Sequence, residues 1–406
     1  MLFLKDIWSV FVAELRRIFH DGGVMLLFFL ATLLYPLIFY AVYQNEMVWD
    51  LPVAVVDESQ GVESRRFTHK LNATPEVNVA YKCCTMSEAE RLMRQHDVRG
   101  IVYFPNDYDS RIAKLETGRV CLFCDMSSFL YYRSVYSAAS AVMLDEMKQI
   151  ELQRCELQGA TETDAEGQVT PVSFEDVKLF NAPGGFASFL VPGLLVLVLH
   201  QTLFLGIGVL FGTGRERRNT PKKILELIDK SVVRVTLGRA FAYFAIYLPL
   251  TFVNLFVLPR LFGYPYIGSV DHLVLFLLPF LLATIFFSTT VATFFRERDA
   301  VILVFIFFSL ILYFLSGMVW PQCAMPPFWR YFSYIFPSTP AIQGFVRINS
   351  MSARLPEVGF EFGLLWAQAV VYFFTTCICL KIAKKRFKAK SEAENDVVES
   401  LPSDVE

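Results

Sequence analysis

The sequence has 406 residues, of which 54% are hydrophobic, 15% aromatic and only 19% charged. Soluble proteins carry roughly a quarter charged residues, and 40 Phe side chains are too many to hide from water in soluble domains of this total length. The formal net charge of −2 excludes a broadly basic protein that coats nucleic acid. The composition therefore indicates a membrane protein.

Six stretches are long and apolar enough to cross a bilayer as helices, which takes about 20 residues at 1.5 Å each. They are residues 24–43, 187–211, 235–258, 273–295, 301–319 and 362–380. A block of ordinary soluble composition, residues 44–185, separates the first stretch from the other five. The predicted fold class is an α-helical polytopic membrane protein with six spans, arranged as one plus five (membrane domain 186–381), and an inserted domain.

Lys and Arg in short connections set the orientation, because they stay on the cytoplasmic side. Eighteen of them lie in the N-terminal segment, the second-to-third and fourth-to-fifth connections and the tail, against four in the opposite short loops. Both termini are therefore predicted to be cytoplasmic in a plasma (inner) membrane, with the inserted domain extracytoplasmic. That domain holds 22 acidic and 14 basic residues, as suits an exported domain.

Residues 1–23 are predicted to form an amphipathic helix in the cytoplasmic interface. Its apolar positions recur at helical spacing: Leu4, Ile7, Trp8, Phe11, Leu15 and Ile18. This helix is predicted either to act only as a membrane-surface anchor, or to act in addition as a lever that a partner contacts. The first span is longer than the core of a signal peptide and no small-x-small site follows it, which favours an uncleaved anchor.

The extracytoplasmic domain has an α/β rhythm. Strands are predicted at residues 52–56, 77–81, 98–104 and 119–124, with helices between them and a long helix over 128–157. Ser87 and Glu90 have the spacing of a capping box, and residues 159–167 are predicted to be an acidic loop. Alternating strands and helices predict a small, largely parallel sheet.

Few side chains of this domain suggest chemistry. Asp57 and Asp125 follow strands, where Asp more often caps a turn than serves a site. Cys121 and Cys124 have CxxC spacing, but on a strand the two sulfurs point to opposite faces, which argues against a redox or zinc motif. Buried free thiols are the favoured prediction, and a disulfide from Cys83 or Cys84 to Cys121 or Cys124 remains an alternative.

Several short motifs, in order and at matching spacing over nearly the whole chain, carry a resemblance to a known family. They are residues 53–58 (VAVVDE), 98–105 (VRGIVYFP), 189–193 (FLVPG), 315–321 (LSGMVWP), 325–327 (MPP) and 336–337 (FP). With the one-plus-five layout, the chain resembles the drug-exporter branch of the ATP-binding-cassette (ABC) type-2 permeases. The resemblance implies an efflux permease, with two copies or one copy plus a sibling permease forming a dimer around a central path.

The chain contains no GxxxxGK[ST] phosphate loop, so it is not expected to be an enzyme or to bind a cofactor, and ATP and Mg²⁺ belong to a separate ABC ATPase subunit. In the family, the cytoplasmic connection after the second span docks into that ATPase, which implies a coupling loop at residues 213–234. The implied docking residues are Glu216, Arg217, Pro221, Ile224, Leu225, Leu227 and Ile228. The family's Glu-Arg-Glu pattern is changed here, because Arg218 replaces the second Glu.

Polar residues at membrane depth are functional candidates. His200 and Gln201 near the middle of the second span, with Asn254 in the third, are predicted to lie on a translocation path. Ser and Thr hydroxyls in the spans are expected instead to bond their own helix or to bridge neighbouring helices.

The 320–351 segment is too polar and Pro-rich to span, and its aromatic residues suit a membrane interface. It is predicted to be a re-entrant or surface helix pair that forms an outer gate. The gate residues are Gly317, Pro321, Pro326, Pro327 and Pro337. The tail, residues 382–406, is predicted to be cytoplasmic and disordered.

These features predict a permease subunit that moves a lipophilic or amphiphilic substrate outward, while the outer domain shapes an exit or docks a periplasmic adaptor. The alternative is a membrane-anchored receptor or envelope assembly protein whose outer domain binds a ligand or partner without transport. The apolar docking residues of the coupling loop (Ile224, Leu225, Leu227 and Ile228) and the intramembrane pair His200 and Gln201 favour transport. The sequence indicates the lipid bilayer and protein subunits, not nucleic acid, as partners.

Overall fold

The computed structural model of the protein describes residues 2–170, 177, 179–181, 184–216, 231–295 and 297–399. The chain forms two compact units. The membrane unit comprises Met1–Glu46 and Lys178–Glu406, and the sheet unit comprises Met47–Val177.

Six helices of the described residues are long and apolar enough to cross a membrane, which confirms the prediction of a polytopic helical protein. They are span 1 (Gly22–Val42), span 2 (Phe186–Thr213), span 3 (Val232–Leu261), span 4 (Val270–Ala292), span 5 (Arg298–Leu315) and span 6 (Leu355–Lys385). Each contains a stretch of the sequence with high apolar content, because a helix in a bilayer must satisfy every backbone polar group internally and present apolar side chains.

A separate helix, Leu2–His20, precedes span 1 and is called the N-terminal helix. It ends before Asp21, whose carboxylate accepts hydrogen bonds from the backbone N–H groups of Gly23 (3.1 Å) and Val24 (3.3 Å) and so caps the start of span 1. Two spans contain a π-helical turn, at Leu26–Ala31 in span 1 and at Val253–Val257 in span 3.

The core of the membrane unit contains buried residues of all six spans, and span 4 packs against spans 2, 3 and 6. The Phe28 ring of span 1 meets Tyr247 of span 3 edge-on, with the ring centroids 5.0 Å apart. Gly206 of span 2 lies against the same ring, and a Cβ atom there would come within 1.9 Å of Phe28. This glycine therefore permits the close approach of spans 1 and 2.

After span 5 the chain forms a short helix, Pro327–Ser333, and a longer one, Ser338–Met351. The predicted helix pair is present in the 320–351 segment. The last helix extends over Gly359–Glu399, so the backbone from 382 to 399 is helical, which differs from the predicted disordered tail. Lys and Glu in that stretch are good helix formers and continue the helix that the apolar span begins.

The sheet unit contains four strands in the order β2-β1-β3-β4. They are β1 (Leu51–Asp57), β2 (Val77–Cys83), β3 (Gly100–Phe104) and β4 (Cys121–Cys124). β1 pairs in parallel with β2 and β3, and β4 adds antiparallel at the edge. The predicted strands and their largely parallel arrangement are therefore present.

Helices cover the sheet of this unit. They are Val62–Asn72, Met86–Arg94, Tyr108–Ala113, Phe129–Leu157 and Glu162–Val169. Alternate residues of β1 enter different cores: Val53 and Val55 join one cluster with Phe104, while Ala54 and Val56 join another. β1 is apolar at nearly every position because both of its faces are buried.

Two local predictions in this unit are wrong. The acidic stretch predicted as a loop contains the helix Glu162–Val169, and the Thr161 hydroxyl accepts a hydrogen bond from the backbone N–H of Asp164 at 3.3 Å. Thr161 and Asp164 have the spacing of a capping box, which was the available signal. The predicted Ser87 cap is also replaced, since the helix Met86–Arg94 begins after Thr85.

Candidate functional site

The predicted docking segment, residues 213–234, joins span 2 to span 3. Of its docking residues, Glu216 lies in the described part of the chain, at the end of the helix Phe186–Glu216. The others lie outside the described residues and stay predictions: Arg217, Pro221, Ile224, Leu225, Leu227 and Ile228. The geometry of this site is therefore built from the two helix ends that flank the segment.

A buried carboxylate, Glu14 of the N-terminal helix, lies against the beginning of span 3. Glu14 is 4% exposed, and one of its oxygens accepts a hydrogen bond from the Tyr243 hydroxyl. The other oxygen lies 3.5 Å from Arg239 Nε and 3.9 Å from Arg17 Nη1. Burial raises the pKa of Glu14, but the two guanidinium groups and the tyrosine hydroxyl together lower it below its ordinary value. Glu14 is therefore an ionised carboxylate held by two arginines.

The N-terminal helix is also attached to both helix ends that flank the docking segment. Arg17 donates a hydrogen bond to the backbone carbonyl of Leu210, near the end of span 2. Asp6 forms an ion pair of 2.7 Å with Arg234, at the beginning of span 3. One helix therefore connects the segments that enter and leave the docking loop.

The beginning of span 5 also lies beside the end of span 2. Arg239 stacks over Phe211 of span 2, with its guanidinium carbon 5.2 Å from the ring centroid. A Cβ atom on Gly212 would come within 2.9 Å of the Arg298 backbone, and one on Gly23 within 1.9 Å of the Arg298 side chain. Spans 1, 2 and 5 therefore meet beside the end of span 2 from which the docking segment leaves.

Glu14 was not predicted from the sequence. The residue lies on the helix face that buries Ile7 and Val10, and a carboxylate within such an apolar stripe was the available signal. A second signal lies in span 3, where Arg239 and Tyr243 are four residues apart and therefore on one helix face.

The predicted path residues lie on spans 2 and 3. His200 is 2% exposed with its ring centroid 5.9 Å from that of Phe287, and among the described residues neither ring nitrogen has a hydrogen-bond partner. Asn254 is buried, and its Nδ2 donates to the Leu250 carbonyl at 2.8 Å. Gln201 is half-buried. A buried imidazole without a hydrogen-bond partner, such as that of His200, is unusual. The role of these three residues in a translocation path stays a prediction.

Some hydroxyls in the spans bond in the predicted ways, whereas among the described residues those of Thr251, Thr284 and Ser288 are buried without a hydrogen-bond partner. Thr289 donates to the carbonyl of Ile285 in its own helix at 2.7 Å. The Thr290 hydroxyl of span 4 lies 2.8 Å from that of Thr376 in span 6, which itself donates to the Phe286 carbonyl at 2.9 Å. Thr289 therefore bonds within its own helix, whereas Thr290 and Thr376 join spans 4 and 6.

A polar cluster attaches the 320–351 segment to spans 5 and 6. The Tyr334 hydroxyl donates to Gln322 Oε1 at 2.8 Å, and Gln343 Nε2 donates to the Ser316 carbonyl, just after span 5, at 3.0 Å. Gln368 of span 6 donates through Nε2 to the Tyr334 carbonyl at 2.6 Å. The two helices of the segment are therefore held in one arrangement by side-chain amides.

The predicted gate residues occupy turning points of the same segment. Pro321 precedes a short 3-10 turn, Pro326 and Pro327 begin the first helix, and Pro337 precedes the second. Gly317 has φ of +92°, a conformation that glycine adopts readily. Because proline is favoured at the first turn of a helix, Pro326, Pro327 and Pro337 mark where the two helices begin.

Side chains of the sheet unit serve as structural caps. Asp57 accepts hydrogen bonds from the hydroxyl groups of Ser59 and Ser64, both at 2.8 Å. Asp125 accepts from the backbone N–H of Ser127 at 2.9 Å and from Arg99 Nη1 at 3.1 Å. Hydrogen bonding from the side chain and backbone of Ser127, followed by the hydrogen bond and charge of Arg99, holds the pKa of the Asp125 carboxyl below its ordinary value. The prediction that Asp follows these strands as a turn cap is confirmed.

The eight cysteines are all in the described part of the chain, and each is a free thiol. Cys83 is buried, whereas Cys84 and Cys121 are exposed, so the expectation of buried thiols is correct for Cys83 but wrong for these two. Cys121 and Cys124 lie on opposite faces of β4 as predicted, and burial raises the pKa of Cys124 to about 11. No group of metal-binding side chains occurs within the described ranges.

Residues 23–378 match the sequence model of the ABC-2 family transporter proteins. No curated protein matches the chain at a significant level. The match begins in span 1 and ends in span 6, so it includes the sheet unit and the segments that flank the docking loop. Permeases of this family are membrane-spanning components that work with a partner ATPase subunit. The chain therefore belongs to the ABC-2 family and is a multi-pass permease subunit of an ABC transporter.

Proposed function

We propose that the chain is the permease of an exporter that moves a lipophilic or amphiphilic compound outward across the plasma (inner) membrane. A separate ATPase subunit docks on residues 213–234, and two permease chains pair around the path. The sheet unit then lies outside, where it shapes the exit or docks a periplasmic adaptor, and both termini are cytoplasmic.

The observation that carries this proposal is the attachment of the N-terminal helix to both flanks of the docking segment. Arg17 bonds the end of span 2, and Asp6 bonds the beginning of span 3. Glu14 adds a buried ionic contact to span 3. A force applied by an ATPase to the docking segment therefore moves spans 2 and 3 together with the N-terminal helix rather than bending one loop.

In this proposal, the movement of spans 2 and 3 reaches both the predicted path residues and the predicted outer gate. Span 2 carries His200 and Gln201, span 3 carries Asn254, and the Ser338–Met351 helix packs against span 2. In the proposed cycle, displacement of spans 2 and 3 rearranges the path residues and the outer gate, whose residues are Gly317, Pro321, Pro326, Pro327 and Pro337.

Co-expression with candidate ATPase subunits, followed by affinity purification and ATPase assays with lipophilic compounds, tests this proposal. We expect a stable complex whose ATP hydrolysis is stimulated by a transported compound. Ile224→Asp combined with Leu227→Asp is expected to remove the complex, because charges replace the apolar docking face. Val62→Asp is the matched control, since Val62 is an exposed residue of the sheet unit.

Two outcomes would contradict the proposal. One is failure to recruit any ATPase, which would favour the receptor or assembly alternative. The other is an equal loss of the complex with the Val62→Asp control, which would remove residues 213–234 as the docking site.

A further inference from the structure

An apolar groove of about 450 Å³ lies between the N-terminal helix and span 3. Its walls include Leu4, Trp8 and Phe11 from the helix and Phe241, Phe244 and Ala245 from the span. Trp8 is 66% exposed and Phe241 is 51% exposed. These large side chains therefore present an apolar surface that the protein itself leaves uncovered.

The span 3 wall of the groove belongs to a candidate membrane-spanning helix, Val232–Leu261. Phe241 is nine residues into the span, which corresponds to about 14 Å at 1.5 Å per residue. A groove between a membrane-spanning helix and an amphipathic helix, open on one side and lined by hydrocarbon and aromatic groups, has the shape and chemistry that accept a fatty acyl chain.

The N-terminal helix has three faces. One face packs on span 3 through Ile7 and Val10, where a Cβ atom on Gly238 would come within 2.7 Å of Val10 Cβ. A second, exposed apolar face contains Leu4 and Trp8. The third face is exposed and mainly polar; its residues are Lys5, Ser9, Ala13, Arg16 and His20. The groove lies between the first and second faces. The polar face adjoins the second, apolar face on the side away from span 3.

Basic residues lie near the start of both elements that form the groove, Lys5 in the N-terminal helix and Arg234 in span 3. Lys5 is exposed and lies within one helical turn of Leu4 and Trp8. Arg234 lies seven residues before Phe241, two turns away on the same face of span 3, and pairs with Asp6 at 2.7 Å. Two basic groups and one acid leave a net positive charge near the start of these elements, which is complementary to an anionic headgroup.

We propose that the groove binds one anionic phospholipid of the surrounding leaflet. An acyl chain lies against Trp8 and Phe241, and the phosphate of the headgroup contacts Lys5. Because the N-terminal helix also holds both flanks of the docking segment, a bound lipid stabilises the contact on which coupling depends. Binding itself requires neither ATPase nor transported substrate, so its test is independent of the proposed function.

Native mass spectrometry of the purified full chain, titrated with phosphatidylglycerol or with phosphatidylcholine, tests this proposal. We expect one phosphatidylglycerol to be retained about fivefold more tightly than phosphatidylcholine, the size expected of one basic residue near an anionic headgroup. Lys5→Gln is expected to remove this preference. Arg16→Gln, eleven residues along the same polar face, is the matched control and should retain it.

A second pair of variants tests the acyl-chain part of the site. Ala245→Phe fills the groove and is expected to abolish retention of the lipid. Ala367→Phe makes the same change at an exposed position of span 6 and should leave retention unchanged. Phosphatidylglycerol with brominated acyl chains quenches the fluorescence of nearby tryptophan, which gives an independent measurement. The contribution of Trp8 is the difference in quenching between the unsubstituted chain and Trp8→Phe. This measurement does not require the groove variants to fold.

Three outcomes would overturn the proposal. Equal retention of both lipids by the unsubstituted chain would exclude an anionic site. Equal losses in Lys5→Gln and Arg16→Gln would indicate diffuse electrostatic attraction. Brominated lipid that quenches the Trp8→Phe variant as strongly as the unsubstituted chain would place the lipid elsewhere.

Discussion

At the scale of single residues, Glu14 is a charge buried in a largely apolar unit. A buried carboxylate is unfavourable unless cations and hydrogen-bond donors replace the water it loses. Arg239, Arg17 and the Tyr243 hydroxyl do so here. The cost of removing one partner of such a group is large, because the remaining charge stays buried without compensation.

Glu14→Gln is therefore expected to lower the free energy of unfolding by about 3 kcal/mol, since Arg239 loses its carboxylate. Thermal unfolding of the purified chain in detergent measures this change. Glu90→Gln is the control, because the Glu90 side chain is 49% exposed and exposed substitutions change stability by about 0.5 kcal/mol or less. Similar effects of the two substitutions would contradict the role assigned to Glu14.

The lowered pKa of Glu14 predicts the pH dependence of this effect. A carboxyl group whose pKa is lower in the folded state contributes stability above its unfolded pKa, here 4.5, and loses it as the pH falls through the folded value. The stability difference between the unsubstituted chain and Glu14→Gln is expected to be constant near neutral pH and to shrink below about pH 4.5. Measurement of both unfolding transitions across this range checks the sign, and a difference that grows with acidification would contradict it.

At the scale of elements, spans 4 and 6 are joined by a hydroxyl cluster. The Thr290 hydroxyl lies 3.2 Å from that of Thr375 and 2.8 Å from that of Thr376. Hydrogen bonds between membrane helices contribute about 0.6 kcal/mol on average and at most about 1.7 kcal/mol. Thr376 makes two such contacts, because it also donates to the Phe286 carbonyl.

Thr376→Val keeps the shape of the side chain and removes both contacts, so it is expected to destabilise the chain by about 1 kcal/mol. Thr289→Val is the matched control, because the buried Thr289 hydroxyl donates to the Ile285 carbonyl of its own helix. Thermal unfolding in one detergent compares the two variants. An equal or larger loss with Thr289→Val would show that the interhelical bonds do not carry the effect.

The sequence predicted elements better than contacts, for physical reasons. Each span needs about 20 apolar residues, which local composition shows directly, and β1 is apolar because both of its faces are buried. The helix Glu162–Val169 was missed because its acidic composition outweighed the Thr161 cap. Glu14 was missed because an amphipathic pattern separates apolar from polar faces but does not reveal that a neighbouring helix supplies Arg239 as a partner.

At the scale of the whole molecule, the charge pattern and the two units define a testable topology. The membrane unit contains six candidate spans, and the sheet unit is inserted between spans 1 and 2. Eighteen basic residues lie on one set of connections, against four on the other, and this imbalance predicts that the sheet unit lies outside. Cys84 of the sheet unit has an exposed thiol and provides a native probe of this arrangement.

Two single-cysteine chains test the topology: one keeps Cys84, and the other lacks the native cysteines and carries Ser391→Cys in the tail. A membrane-impermeant maleimide, applied to right-side-out vesicles after mild reduction, is expected to label Cys84. The tail cysteine should react only once the membrane is opened, because the Lys- and Arg-rich end of span 6 stays on the cytoplasmic side. Detergent-solubilised samples, in which both thiols should react, control for intrinsic reactivity. The reverse pattern in sealed vesicles would invert the topology, and it would place residues 213–234 on the side of the membrane where no ATPase could reach them.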